Sequence, residues 1–294
     1  MAAMPWRTSL FAGRQRLRHD CGMNKLPTIF ISHGSPMHAL HAGAAGEAWA
    51  ALGQRLPRPR AILIASAHWE TRLPMLTSGE QPETIHDFSG FPEPLYRIRY
   101  QAPGAPEVAR RAQALLKDAG FTAGIDGCRG LDHGAWSPLL HAYPAADVPV
   151  VQLSLQTALG APHHLALGRA LAPLADEGVL IIGSGHMTHN LREWSRGMQT
   201  GGEAAYVREF RQWVHTRIEA NDFDTLVDWR SRAPHAVRAH PTDEHFLPLF
   251  VALGAAGEHV RAEHFFDAVE DGVLAMDAYL FSSVHTILAL HTET

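Results

Sequence analysis

Histidine is the residue type whose chemistry stands out in this chain. The sequence holds 20 histidines against 25 lysines and arginines together. Imidazole is the side chain best suited to metal binding and proton transfer near neutral pH. Four histidines follow apolar runs: His33 follows Ile-Phe-Ile-Ser, His68 follows Ile-Leu-Ile-Ala-Ser-Ala, and His186 and His189 follow Leu-Ile-Ile-Gly-Ser-Gly. These residues predict a metal or proton-transfer site at the ends of strands.

The apolar runs are typical of buried parallel strands, because each is rich in β-branched residues and flanked by turn residues. Four segments have this pattern: Thr28–Ser32, Ala61–Ala67, Val148–Leu155 and Val179–Gly183. Amphipathic helices are predicted at Gly46–Leu56, Pro106–Ala119, His163–Asp176 and Ala204–Ala220. The alternation predicts a single α/β domain with a central, mainly parallel β-sheet flanked by helices. Long loops are expected at Pro74–Pro106 and Asp222–Pro241, and Val273–Leu290 fits either helix or strand.

The carboxyl ends of parallel strands are the expected place for a site, because open α/β sheets bind ligands in the crevice beyond those ends. A single histidine there is usually an ordinary polar residue. Its repetition at three strands favours a metal site that includes His33, His68 and the His186–His189 segment. Neutral imidazole suits zinc, iron, copper and nickel, whereas Mg²⁺ and Ca²⁺ prefer oxygen ligands.

A further ligand is expected from Pro241-Thr-Asp-Glu-His-Phe-Leu-Pro248, which is predicted to open an apolar helix. Thr242 or Asp243 can cap that helix, so an ordinary helix start also explains the polar cluster. Glu244 and His245 are neighbours and would point about 100° apart on a helix. Only one of them is therefore expected to reach the metal.

The segment Leu131-Asp-His-Gly-Ala-Trp-Ser-Pro138 has the pattern of a loop that enters a helix. His133 precedes a glycine that lets the backbone turn, and Trp136 offers a flat wall to a planar ligand. An ordinary helix start explains the same residues equally well. Gly183-Ser-Gly185 partly matches the dinucleotide fingerprint, but Thr188 replaces the third glycine, so no nucleotide site is predicted.

Composition and motifs exclude several other classes of protein. A net charge of −5 and a hydrophobic fraction of 46% indicate a globular chain with a sizeable core. No run of basic residues predicts nucleic-acid binding. The GxxxxGK[ST], HExxH and GxSxG motifs are missing from the sequence. No stretch approaches the roughly 20 apolar residues that a membrane span needs.

The two cysteines, Cys21 and Cys128, are expected to be reduced thiols in a cytoplasmic protein, because they cannot form a disulfide framework or a CxxC zinc site. Residues 1–22 lack the long apolar stretch of a secretory signal. They are predicted to be a disordered leader extension or a misplaced start ahead of Met23. The catalytic domain is expected to span residues 23–294.

Six motifs occur in order from about Leu26 onward. They are Ser-His33-Gly-Ser-Pro, Ser-Ala-His68-Trp-Glu, Thr-Ile-His86-Asp-Phe-Ser-Gly-Phe-Pro, Leu-Asp-His133-Gly-Ala-Trp, His189-Asn and Glu-His245-Phe-Leu-Pro-Leu. Together they closely resemble the DOPA-type extradiol ring-cleavage dioxygenases, which are relatives of the class III extradiol enzymes. The opening His33-Gly-Ser by itself also resembles the start of cobalt and sirohydrochlorin chelatases.

The resemblance implies one divalent metal, Fe(II) in active catechol-cleaving members and Zn(II) in some isolated proteins. His33 and His68 match the two metal ligands carried by strands. More distant class III enzymes complete the triad with a glutamate, but DOPA-type members resemble this chain in having Glu-His, and the ligand role is assigned to His245. His189 matches the active-site base and can also lie within metal reach. His133 matches a second pocket histidine.

The implied activity is cleavage of a catechol by O₂ to a muconic semialdehyde-type product. Three alternatives stay open at this point. The chain can be a metal-binding module of the same superfamily without ring-cleaving activity. It can be a zinc hydrolase in which His189 or Glu244 activates a metal-bound water. A chelatase is suggested by the His33-Gly-Ser motif alone.

The physiological catechol and the oligomeric state do not follow from the sequence. An amino-acid catechol such as DOPA is expected to need a cationic partner for its carboxylate, and the candidates are Arg97, Arg99 and Arg192. The pocket wall is expected to include His86, Phe88 or Trp136. No nucleic-acid or membrane partner is expected.

Overall fold

A single large sheet forms the centre of the structure, a computed structural model that describes residues 25–194, 197 and 202–283. Its strands are β1 (Thr28–Ser32), β2 (Ala61–Glu70), β3 (Met75–Thr77), β4 (Gly124–Asp126), β5 (Val150–Leu155), β6 (Val179–Gly185), β7 (Val260–Phe266) and β10 (Ala278–Ser283). A separate hairpin pairs β8 (Val269–Glu270) with β9 (Leu274–Ala275). The leader at residues 1–22 lies outside the described residues.

The order of the eight strands is β4-β3-β5-β2-β6-β1-β10-β7. The four central strands, β5, β2, β6 and β1, are parallel to one another. Strand β10 is antiparallel to β1, and the edge strand β7 is antiparallel to β10. All four predicted strands are confirmed, and the mainly parallel sheet places the carboxyl ends of β1, β6 and β2 side by side.

Helices cover the sheet on both faces. The described helices are α1 (Gly43–Arg55), α2 (Glu93–Tyr96), α3 (Pro106–Asp118), α4 (His133–Ala142), α5 (Gly160–Leu171), α6 (Pro173–Asp176), α7 (Ala205–Glu219), α8 (Phe223–Leu226), α9 (Trp229–Arg232), α10 (Ala236–Ala239) and α11 (Leu247–Ala256). Two apolar clusters, one on each face, bury the side chains between these layers. The predicted single α/β domain is confirmed.

Some predicted boundaries are wrong for local reasons. The helix predicted at His163–Asp176 breaks at Ala172, because Pro173 has no N–H to continue the backbone ladder. The loop predicted at Pro74–Pro106 contains β3 and α2, and that at Asp222–Pro241 contains three one-turn helices. The described part of Val273–Leu290 forms strands, and residues 284–290 lie outside the described range.

Helix α11 is buried along its whole length and crosses α5 at close range. Two glycines make this approach possible. A Cβ added at Gly254 would lie 2.1 Å from the carbonyl oxygen of Leu165, and one added at Gly168 would lie 2.2 Å from that of Val251. The contact matters for the site because α11 follows directly after His245. None of the described helices is long and apolar enough to cross a bilayer.

Replacing Gly254 with alanine is expected to lower the free energy of unfolding by about 1–3 kcal/mol, the usual cost of overpacking. Alanine gains roughly 1 kcal/mol in helix propensity, but the clash with backbone atoms outweighs that gain. Urea unfolding measures the change. Gly202→Ala is the matched control, because a Cβ there meets nothing within 4 Å. Equal stabilities of the two variants would show that the α5–α11 approach is not this tight.

Candidate metal centre

Five of the histidines singled out in the sequence lie around one crevice at the carboxyl ends of the central strands. His33 follows β1 directly. His68 lies within β2, two residues before the strand ends at Glu70. His189 follows β6 by a short loop. His133 is the first residue of α4, and His245 lies just before α11. The parallel register therefore brings together residues that are distant in sequence.

The imidazole rings are closely packed. The centroid of His68 lies 4.9 Å from that of His33, 4.0 Å from that of His133 and 5.0 Å from that of His245. His189 stacks on His245 with a centroid distance of 3.5 Å and an interplanar angle of 14°. Like-charged rings at these distances would repel each other, so the cluster favours neutral imidazoles.

Two carboxylates orient three of these rings from behind. The Nδ1 atoms of His133 and His68 lie 2.9 Å and 3.3 Å from Oδ2 of Asp87. Nδ1 of His245 lies 3.0 Å from Oε1 of Glu244. An ionised carboxylate only accepts hydrogen bonds, so Nδ1 of His133 and of His245 carries the proton and Nε2 of these rings does not. Asp87 favours the same tautomer at His68 through the longer 3.3 Å contact.

His33 reaches the same tautomer through a hydroxyl. Its Nδ1 lies 3.1 Å from Oγ of Ser184, and that hydroxyl donates its own proton to the carbonyl of Gly134. The serine oxygen can therefore only accept from His33. Nε2 of His33 lies 3.0 Å from Nε2 of His68, so two lone pairs face each other. A cation shared between the two nitrogens would stabilise this arrangement.

Burial is the main reason that these imidazoles stay neutral. It lowers the pKa of His68 to about 3 and that of His189 to about 4, and neighbouring charges add to the effect. The pKa values of His33 and His245 are lowered well below the usual range by the same cause. Neutral imidazole is the form that binds metals. The pKa of His189 is therefore lower than the near-neutral pKa that is expected of a general base.

The donor set fits a divalent transition metal. Ligand atoms of His33, His68 and His133 lie within 4.8 Å of one another, and so do those of His189, Glu244 and His245. In addition, Nε2 of His245 is buried without a hydrogen-bond partner among the described residues. Imidazole nitrogens are ligands for zinc and iron rather than for Mg²⁺ or Ca²⁺.

Glu244 and His245 do not occupy a helix, contrary to the prediction. Helix α11 begins at Leu247 and has no side-chain cap, so neither Thr242 nor Asp243 caps it. The two neighbours act together instead, because Glu244 accepts the Nδ1 proton of His245. The 100° argument fails since a turn, not a helix, carries both residues.

A cavity of about 580 Å³ opens over these rings. Its wall includes the predicted residue Phe88 and also His186, whose Nδ1 is buried without a partner among the described residues. Trp136 does not line it, because its ring is fully buried and its Nε1 donates to the carbonyl of Ile85. His86 also lies outside the lining and faces the carbonyl of Ile98.

The predicted arginines are not part of the cavity lining among the described residues. Arg97 pairs with Glu93, and Arg99 donates to the carbonyl of Tyr96. Arg192 is exposed outside the cavity. The charged side chains that line the cavity are instead the carboxylates of Glu270 and Asp271. Glu270 lies 3.0 Å from Nε2 of His38, and Asp271 accepts a hydrogen bond from Nε1 of Trp194.

Sequence reasoning missed Asp87, Ser184 and the pair His38–Glu270. Asp87 stands next to His86 in one of the motifs, and Ser184 lies in the glycine-rich exit of β6, so both were visible. Their function depends on contacts across 46 and 151 positions of sequence, which a local pattern does not reveal.

An α/β sheet that gathers neutral imidazoles beyond its carboxyl ends has the architecture of a metal-dependent enzyme. Residues 27–272 match the family model of the catalytic LigB subunit of aromatic ring-opening dioxygenase. The chain belongs to this family of extradiol ring-opening dioxygenases, whose members depend on a metal.

Named relatives extend over most of the chain. A 4,5-DOPA dioxygenase extradiol of Beta vulgaris is 44% identical over 87% of this chain and 96% of its own. A protein of the same name from Escherichia coli K12 is 40% identical over 79% of this chain and 85% of its own. The crystal structure of an uncharacterized Escherichia coli K12 protein, 32% identical, superposes with a TM-score of 0.71 over 87% of this chain and 99% of its own.

His245→Ala is expected to weaken metal binding much more than Glu244→Gln. The first change removes a ring whose free Nε2 faces the crevice. The second removes only the acceptor behind that ring, and the loss of such an outer partner usually costs about 10–100-fold in metal affinity. Chelator competition with Zn²⁺ measures both affinities. The reverse ranking would assign the ligand role to Glu244.

Proposed function

We propose that this enzyme opens the ring of a catechol that carries an amine, such as DOPA, with Fe(II) as the working metal. The product is a muconic semialdehyde-type compound. The observation that supports this most is the common orientation of His33, His68 and His245: Nδ1 of each lies beside an acceptor, Ser184, Asp87 or Glu244, and each ring lines one cavity. The names of the relatives support the substrate class.

His33, His68 and His245 would hold the metal, with His189 within reach as a further ligand. When bound, Fe(II) would supply a redox-active centre for the reaction with O₂, which Zn²⁺ would not supply because it has no redox chemistry. Zn²⁺ fits the same nitrogen ligands and can occupy the isolated protein. The metal in the cell is therefore decided by supply as well as by the site.

His189 is the proposed base. Its ring lies flat against His245 at a centroid distance of 3.5 Å, and it lines the cavity where a catechol hydroxyl would sit. A neutral ring can take the hydroxyl proton. His133 is the proposed second pocket histidine. Its Nδ1 faces Asp87, so its Nε2 is presented to the cavity, where a substrate oxygen would lie.

The carboxylates on the cavity wall support the proposal that the substrate carries an amine. Glu270 and Asp271 place carboxylates there, and the described lining has no lysine or arginine. Although burial opposes the charge, the hydrogen bond and charge of Glu270 raise the pKa of His38. Glu270 is thus already paired with His38, whereas Asp271 has no cationic partner among the described residues. An ammonium group suits this wall better than a carboxylate alone.

Anaerobic loading with Fe(II), followed by O₂ uptake and product spectra, tests the proposal. The catechols are DOPA, dopamine and 3,4-dihydroxyphenylpropionate, which lacks the amine. We expect the two amines to be cleaved with higher kcat/KM, and Asp271→Asn to reduce that preference. Preference for the amine-free acid would contradict the proposed substrate class.

The O₂-uptake experiment and two further assays, of hydrolysis and of metal insertion, separate the alternatives. Metal binding without O₂ uptake on any catechol would favour a metal-binding module without turnover. Hydrolytic activity that Zn²⁺ supports as well as Fe(II) does would favour a zinc hydrolase. Insertion of a metal into a tetrapyrrole would favour a chelatase.

Cytoplasmic location is also proposed, supported by the exposed free thiol of Cys128, which suits a reducing compartment.

His189→Gln is expected to keep most of the metal and to bind a catechol, yet to lose turnover by about 10²–10⁴-fold, the usual contribution of a positioned general base. Metal content and single-turnover ring opening are measured on the same iron-loaded sample. Collapse of metal content together with activity would make His189 mainly a ligand. Normal turnover with normal metal would remove it from the mechanism and direct attention to His133 or His186.

A further inference from the structure

One carboxylate contacts two functional rings that come from different elements. Asp87 lies between β3 and α2, whereas His68 belongs to β2 and His133 begins α4. Oδ2 of Asp87 lies 2.9 Å from Nδ1 of His133 and 3.3 Å from Nδ1 of His68. Its other oxygen, Oδ1, accepts the backbone N–H of His133 at 2.9 Å. The carboxylate therefore joins a strand and a helix at the crevice.

We propose that Asp87 is a positioning residue that holds His68 and His133 as one unit. It accepts the Nδ1 proton of His133 and lies 3.3 Å from Nδ1 of His68, so that the Nε2 side of both rings is turned to the cavity. This rests on the proposed function in one respect, the assignment of His68 as a metal ligand. A shift of Asp87 would then disturb the metal ligand and the pocket imidazole together, because their ring centroids are only 4.0 Å apart.

The backbone around Asp87 is held in place independently of the two rings. Ile85 donates its N–H to the carbonyl of Leu131 at 2.8 Å, and its carbonyl accepts from Nε1 of Trp136 at 2.8 Å. Trp136 lies on α4, the helix that His133 begins. The segment that carries the carboxylate is thus tied to the helix that carries one of its partners. This preorganisation lets a short side chain fix two rings.

A neighbouring carboxylate shows what a purely structural acid does here. Asp132 is fully buried and accepts from Ser66, Gln152 and Arg129, none of which is an imidazole. The hydrogen bonds of Asp87 within the described residues go to His133, and its further contact is to His68. Asp132 is next to His133 in the sequence but bonds to other partners, whereas Asp87 reaches the His133 ring across 46 positions.

Asp87→Asn tests the proposal, because an amide of the same size keeps only one acceptor atom. With its oxygen toward the two rings, its NH₂ meets the backbone N–H of His133; with its oxygen toward that N–H, its NH₂ meets both rings. In the metal-free protein, ¹⁵N NMR should show less Nδ1–H tautomer at His68 and His133. Zn²⁺ affinity by chelator competition should fall about 10–100-fold. The d–d spectrum of the Co²⁺ form should also change. In the Fe(II)-saturated enzyme, kcat should fall more than KM changes. Asp87→Glu should restore part of each property.

His86→Ala is the matched control. It removes the ring that lies 3.1 Å from the carbonyl of Ile98 and loosens the same segment, but keeps the carboxylate. We expect its tautomers and Zn²⁺ affinity to match those of the unaltered protein. Equal changes in His86→Ala and Asp87→Asn, or none in Asp87→Asn, would overturn the proposal.

The tautomer and Zn²⁺ measurements need neither catechol nor O₂. An unaltered protein that fails to cleave catechols would therefore count against the proposed function while leaving the role of Asp87 testable. If Asp87→Asn does not fold by circular dichroism, Asp87→Glu carries the test. Its longer side chain should shift the Co²⁺ spectrum, and a spectrum identical to that of the unaltered protein with full metal affinity would count against positioning by this carboxylate.

Discussion

The direction of the ring protons is the constraint on which this site depends. A neutral imidazole has one nitrogen that donates and one that accepts, so it can face a metal only if something behind it takes the proton of the other nitrogen. Ser184, Asp87 and Glu244 provide that acceptor for four rings. Burial lowers the pKa values of His33, His68 and His245 and so keeps these rings neutral, and the acceptors choose which nitrogen faces the cavity.

The sheet explains how the acceptors reach the right rings. Ser184 sits on β6, between β1 and β2, so it lies beside the histidine that follows β1. Gly185 also leaves room for the chain before α11, because a Cβ there would lie 2.1 Å from the carbonyl oxygen of His245. That carbonyl accepts the N–H of His186 at 2.7 Å. The segment that carries His245 is thus joined to the central strands by a backbone hydrogen bond.

The cavity wall combines three kinds of surface. Imidazoles line it together with the carboxylates of Glu270 and Asp271 and with apolar side chains such as Phe88 and Leu274. The hairpin of β8 and β9 carries both carboxylates, whereas the strand ends carry the imidazoles. A planar ligand in this cavity therefore meets groups from separate parts of the fold.

The sequence by itself determined the α/β class, the four central strands and the histidines at the site, because buried strands and the residues after them are local patterns. It also carried the family motifs. Only the tertiary structure decided that Glu244 supports His245, that Asp87 joins His68 to His133, and that the expected arginines lie away from the cavity. These facts depend on contacts between distant segments, and they arise when a parallel sheet brings its strand ends together.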